Sequence, residues 1–184
     1  MSSRPLDKVS DLFFAIGEAV IAADLGVQVG NYDDFSGQVT DATVLIEIER
    51  TTPALRGKDG RNGHRLTITL HAVVARLRPF HSLEAANLAT CLERLVTDNR
   101  WNLPGRQVGL PEDQNSGPSM FQTGSDGYSA WATSWTQWIS IGPELLEDPT
   151  LSAGALVEPR VAYAWEVTDL RDPAQYQPLE DLAP

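Results

Sequence analysis

The chain has almost no cysteine: Cys91 stands alone among 184 residues, beside three histidines. That excludes a disulfide scaffold and a structural zinc site of the multi-cysteine kind, and it makes a reducing compartment the simplest origin. Long apolar runs are missing as well. None approaches the roughly 20 residues a membrane-spanning helix needs, and the opening Met-Ser-Ser-Arg-Pro leads into an amphipathic stretch rather than a signal core. Neither membrane insertion nor export is expected. Basic residues are few, 14 against 25 acidic, giving a net charge of -11. A general nucleic-acid binder needs an excess of positive surface, so that class is disfavoured. What the chain does have is 42% hydrophobic residues. At this length one domain can bury about 70% of its unfolded surface without a metal or a disulfide.

The charge is unevenly placed. Arg50, Arg56, Lys58, Arg61 and Arg65 face only Asp59 between positions 50 and 65, a local +4. From Ile141 to Pro184 nine acidic residues stand against Arg160 and Arg171, a local -7, and six of the 12 prolines fall there too. The sequence therefore divides into a body, residues 1–141, and an acidic, proline-punctuated C-terminal arm, residues 142–184.

Within the body, Leu6, Val9, Leu12, Phe13, Ile16 and Val20 recur at three- and four-residue steps, which predicts a helix started by Ser3 and Pro5 and ended by Gly26. After a short segment at Val27 to Val29, Asn-Tyr-Asp-Asp reads as a turn. Alternation over 43–50 and 64–74 predicts two strands, with Val44, Ile46, Ile48, Leu66, Ile68, Leu70 and Ala72 inward. They form an antiparallel hairpin, and the connection 51–63, with three glycines, is long enough to be a functional candidate. Ser82 is the expected N-cap of a second helix with Ala85, Leu88, Ala89, Leu92, Leu95 and Val96 as its buried stripe. Residues 103–127 read as loop, with one short strand near Val108. A strand over 129–141 follows, with Trp131, Thr133, Trp135, Gln137 and Ile139 on one face, and Val161 to Val167 alternate as a last strand in the arm. The expectation is an α+β fold: an antiparallel or mixed sheet with two helices packed on one face, plus an extended C-terminal arm.

Chemistry is harder to find in the sequence. His64 and His71, seven apart on one strand, point to opposite faces and cannot share a metal, and no His-Glu-x-x-His run exists. Cys91 sits beside an apolar helical stripe and reads as a small buried or half-buried side chain. Thr-Gly-Ser-Asp-Gly at 123–127 is not a nucleophile elbow, and the Arg56 to Gly63 loop enters a strand, not the helix a phosphate loop requires. No metal, cofactor or catalytic set is expected. The enzyme reading that stays open is a small hydrolase using Asp33 and Asp34 with His81, although turn formation is the ordinary use of such aspartates.

Interfaces are better marked. Trp131, Trp135, Trp138 and Trp165 lie on two strands, more aromatic surface than one face of a small sheet covers. The candidate assembly residues are Arg56, Lys58, Arg61 and Arg65 from the charged connection, and Trp131, Trp135, Tyr163 and Trp165 from the aromatic strands.

The order of parts resembles the tail terminator, or tail completion, proteins of long-tailed bacteriophages, in particular the Mu-like branch. The parts are the helix from Leu6, the strand Ala42 to Glu49, the glycine and arginine loop, the strand His64 to Val74, the helix Leu83 to Val96, the tryptophan strand Trp131 to Ile141, and the closing Tyr176-Gln-Pro-Leu-Glu. The resemblance implies a structural virion protein without catalytic residues. It would form a hexameric ring that caps the tail tube and joins it to the head through a head-side connector, with DNA passing through unread and no membrane involved. The implied site of action is the tail or neck of the virion, assembled in the cytoplasm of the bacterial host. A head-side neck adaptor would share the same layout.

Overall fold

The computed structural model describes residues 5–119, 127–144, 160–162 and 176–178. The chain separates into two compact units, residues 1–146 and 147–184. In the second unit, β6 (Arg160–Ala162) pairs antiparallel with β7 (Tyr176–Pro178). The rest of the expected strand at 161–167, including Tyr163 and Trp165, lies outside the described residues.

The first unit is an α+β layer pair. Its elements run α1 (Val9–Ala22), β1 (Gln28–Asn31), β2 (Ala42–Ala54), β3 (Asn62–Ala75), α2 (His81–Val96), β4 (Val108–Pro118) and β5 (Tyr128–Ile141). The five strands form one mixed sheet in the order β1-β2-β3-β5-β4, in which β1 runs parallel to β2 and every other pair is antiparallel. Both helices lie on one face. Leu12, Ile16 and Val20 of α1 and Ala89, Leu92 and Val96 of α2 share a single buried cluster with Val44, Ile46, Leu66, Ile68, Leu70, Ala72, Val108, Trp135 and Ile139 of the sheet. The even positions of β3 face this core, as its two-residue period requires.

Of the expected core, Phe13, Ile48 and Leu88 are only partly buried and pack at its rim. Leu92 is fully enclosed. Its truncation to alanine removes a side chain from a site bounded by sheet on one side and helix on the other, so we expect a loss of about 2–5 kcal/mol in a urea titration. A loss below about 1 kcal/mol would show that the helix packs loosely.

Several boundaries differ from expectation for identifiable reasons. α1 begins at Val9 and not near Ser3, because the Asp11 carboxylate accepts hydrogen bonds from the backbone N–H groups of Asp7 and Lys8, at 3.1 and 3.0 Å, and so caps the first turn. Leu6 still reaches the core as a non-helical residue. Its N–H donates to Gln107 Oε1 at 3.2 Å, and Gln107 Nε2 donates back to its carbonyl at 2.7 Å. Ser82 is not the N-cap of α2; Phe80 holds that place in the left-handed region, at φ 55°. Cys91 is exposed and not half-buried, since it falls on the solvent side of α2.

The stretch read as loop holds the eleven-residue strand β4. Pro111 and Pro118 sit on it because β4 is an edge: one side of the strand needs no hydrogen-bond donors, and the register shifts twice to accommodate the prolines and glycines.

Candidate functional site

The charged connection is shorter than the sequence suggests. β2 and β3 stay paired to Ala54 and Gly63, so the turn is residues 55–61. Within it, Gly57 N–H donates to the Arg61 carbonyl and Gly60 N–H to the Gly57 carbonyl, each at 2.9 Å. Arg61 is not a residue of an exposed tip. Its side chain is 11% exposed, pairs with Asp59, donates to the Gly142 carbonyl at 3.1 Å and meets Glu144 at 3.2 Å. It braces the turn against the end of β5. Burial alone would raise the Asp59 carboxyl, but the Arg61 N–H, its guanidinium charge and their hydrogen bond together hold it below the usual carboxylate range.

Arg65 is also engaged. It is exposed on the sheet face opposite the helices and pairs with Glu112 at 2.9 Å and Asp113 at 2.7 Å on β4. That leaves Arg50, Arg56 and Lys58, all exposed, with no carboxylate partner among the described residues. Arg50 lies on, and Arg56 and Lys58 follow, a half of β2 that has β3 on one side and no strand on the other among the described residues, because β1 covers only Thr43 to Ile46.

Trp135 is not an interface residue of the folded protomer. It is 1% exposed, on the helix side of β5, 5.8 Å from the Trp101 ring between centroids. Trp131 lies on the same side, partly buried against the core and opposite Pro118. Trp138, on the other face, donates its indole N–H to the Leu55 carbonyl at 3.3 Å and helps close the hairpin.

The face of the sheet away from the helices carries features that the alternation alone did not mark. Residues 32–41 cross it to join the parallel strands β1 and β2, and Tyr32, Phe35 and Val39 pack on buried Leu45, Val73 and Tyr128. Burial raises the Tyr128 phenol above its ordinary range. Next to this patch runs a polar row across the strands. His71 bonds to Glu47 at 2.8 Å and to Ser119 at 3.1 Å, with Tyr32 stacked on its ring at 4.9 Å. Thr69 donates to Glu49 and meets Ser134 at 2.9 Å. A period-two pattern could have placed these side chains on one face, but the cross-strand register that joins them is not written in either strand alone.

Asp34 and His81 of the hydrolase reading each have another partner. Asp34 accepts from Asn31 Nδ2 at 3.1 Å within a single 3-10 turn, and His81 Nδ1 bonds to Ser129 Oγ at 2.7 Å. Among the described residues no group of three or more His, Cys, Asp or Glu side chains is placed to hold a metal ion, and no helix is long and apolar enough to cross a membrane.

Among the described residues, apolar side chains are open to solvent at two prominent places. Phe13, Phe14, Gly17, Ile21, Val29 and Ile46 line a groove of about 320 Å³ between α1 and the edge strand β1, where Phe14 is 55% exposed and Ile21 67%. Leu77, Phe80 and Leu83 project at the start of α2 with exposures of 92, 78 and 64%. Holding Phe80 in the left-handed conformation costs on the order of 1 kcal/mol or more, which packing elsewhere in the unit must offset. No family model matches this chain, and no curated protein matches it.

Proposed function

We propose that the protein is a structural component of a phage-like virion, a tail terminator that forms a ring on the end of the tail tube and joins it to the head. One observation carries the reading: among the described residues a single protomer exposes several distinct patches on different elements. The α1–β1 groove, the Leu77-Phe80-Leu83 projection and the basic β2 edge are unlike one another. Contacts between unlike patches are heterologous, and a heterologous contact closes into a ring when its rotation divides a full turn. Exposed large side chains grouped in this way mark association surfaces.

Light scattering and native mass spectrometry of the purified chain test this directly. The expected result is a closed oligomer of six copies that, added to polymerising tail-tube protein, stops tube growth. A strict monomer over the whole accessible concentration range, with tubes that lengthen unaffected, would exclude the terminator.

A further inference from the structure

Of the five cations between Arg50 and Arg65, the fold spends two: Arg61 on Asp59 and Glu144, and Arg65 on Glu112 and Asp113. Glu49, next to Arg50, sits at the register shift of β2, and its carboxylate accepts from Thr69. Arg50, Arg56 and Lys58 are left over. Arg50 stands about 13 Å along β2 before its end at Ala54, and Arg56 and Lys58 follow on the braced turn, a row carried by the outer edge of β2 and the hairpin. Pro53 lies in the middle of the row and cannot donate a backbone hydrogen bond, which suits an edge that receives side chains better than one that adds a strand.

The opposite charge is concentrated in one place in the same chain. Residues 147–184 carry eight acidic residues against Arg160 and Arg171, a net -6. We propose that the Arg50-Arg56-Lys58 edge is the docking surface for the 147–184 segment of a second copy of this chain. The inference rests on the ring reading and names one of its contacts. Edge and segment are different surfaces, so every copy can receive one neighbour and supply the next, as a ring requires. Charge contacts of this kind favour orientation and encounter over affinity, and the apolar patches would supply the burial. Because exposed charges are screened beyond about 8 Å at physiological salt, the contact weakens as salt rises.

The chain has only two lysines, Lys8 and Lys58, which makes the test simple to read. Full-length chains, one batch at natural isotope abundance and one labelled with nitrogen-15, are mixed and treated with a water-soluble carbodiimide, which joins lysine amines to carboxylates in direct contact. The expected product is a mixed-isotope peptide pair linking Lys58 to an acidic residue within 147–184, reduced at least tenfold at 1 M salt and in the Arg50→Glu, Arg56→Glu double variant. Absence of mixed-isotope links at Lys58 overturns the proposal, whatever the oligomeric state. A closed oligomer without these links keeps the ring and discards this contact, whereas mixed links from a chain that forms no closed oligomer keep the contact and discard the ring. Retention of a short DNA duplex at 0.15 M salt, lost in the double variant and unaccompanied by links, overturns the proposal in favour of a phosphate backbone.

Discussion

Replacing Gln137 with leucine is expected to destabilise the protein by about 3 kcal/mol or more, although the two side chains are similar in size. Gln137 is fully enclosed on the core face of β5. Its Oε1 accepts from the indole N–H groups of Trp101 at 2.9 Å and Trp135 at 3.2 Å. Its Nε2 donates to the carbonyls of Asn99 at 3.1 Å and Gly109 at 2.9 Å. The amide thus ties β5 to the end of α2 and to β4. Leucine would fill the volume but leave two donors and two acceptors without partners, each costing about 1–3 kcal/mol where water cannot replace the bond. A urea titration followed by tryptophan fluorescence reads the loss. A change under about 1 kcal/mol would mean that water or a small repacking satisfies these groups, and that the network is not a determinant of the fold.

The second large effect is expected from a single methyl group. Gly63 closes the paired region of the β2–β3 hairpin opposite Ala54. A Cβ there would lie 1.8 Å from the Leu55 carbonyl oxygen and 3.0 Å from Trp138 Nε1. The first contact is with backbone, which cannot rotate away, so Gly63→Ala must separate the strand ends and break the Trp138 bond to Leu55. We expect a cost of about 3 kcal/mol or more, at or above the upper end of ordinary overpacking, with faster amide exchange at residues 52–56 and 62–66. Gly117→Ala is the control: nothing lies within 4 Å of its Cβ position, and little change is expected. Equal behaviour of the two variants would contradict the hairpin geometry.

How far the fold could be read in advance depended on how each element meets solvent. β2, β3, β5 and both helices carry apolar side chains at a regular period on the face that meets the core, so they stand out: Leu66, Ile68, Leu70 and Ala72 mark β3. β4 is an edge interrupted by two register shifts, and its Pro111, Gly117 and Pro118 look like loop because an edge tolerates what a central strand would reject. The far end of β2, Thr51 to Ala54, reads as connection because nothing there is buried and no alternation survives.

The interface residues show a different limit. Alternation groups Trp131 with Trp135 on one face but cannot say which face the helices cover, and they cover that one. Charge counting finds Arg61 and Arg65 but not their partners Glu144 and Asp113, which lie 83 and 48 positions further on. Arg56 and Lys58 stand where the sequence placed them, exposed on the turn, because a solvated cation needs no distant partner to be read correctly.

The position of β3 has a consequence for how the chain comes to be folded. One neighbour of β3 is local, β2 just before it, but the other is β5, which pairs Ala75 with Tyr128 and Asn62 with Ile141. During synthesis at roughly 5–20 residues per second, a completed β3 waits on the order of 3–13 s before residue 141 has been added. Through that interval its second edge, with Leu66, Ile68 and Leu70, has no strand to pair with. Nascent chains stalled between residues 80 and 125 should therefore aggregate or recruit holding chaperones far more readily than chains stalled beyond residue 145. The slow step of refolding should be closure of β5 onto β3, the pairing that spans the most sequence.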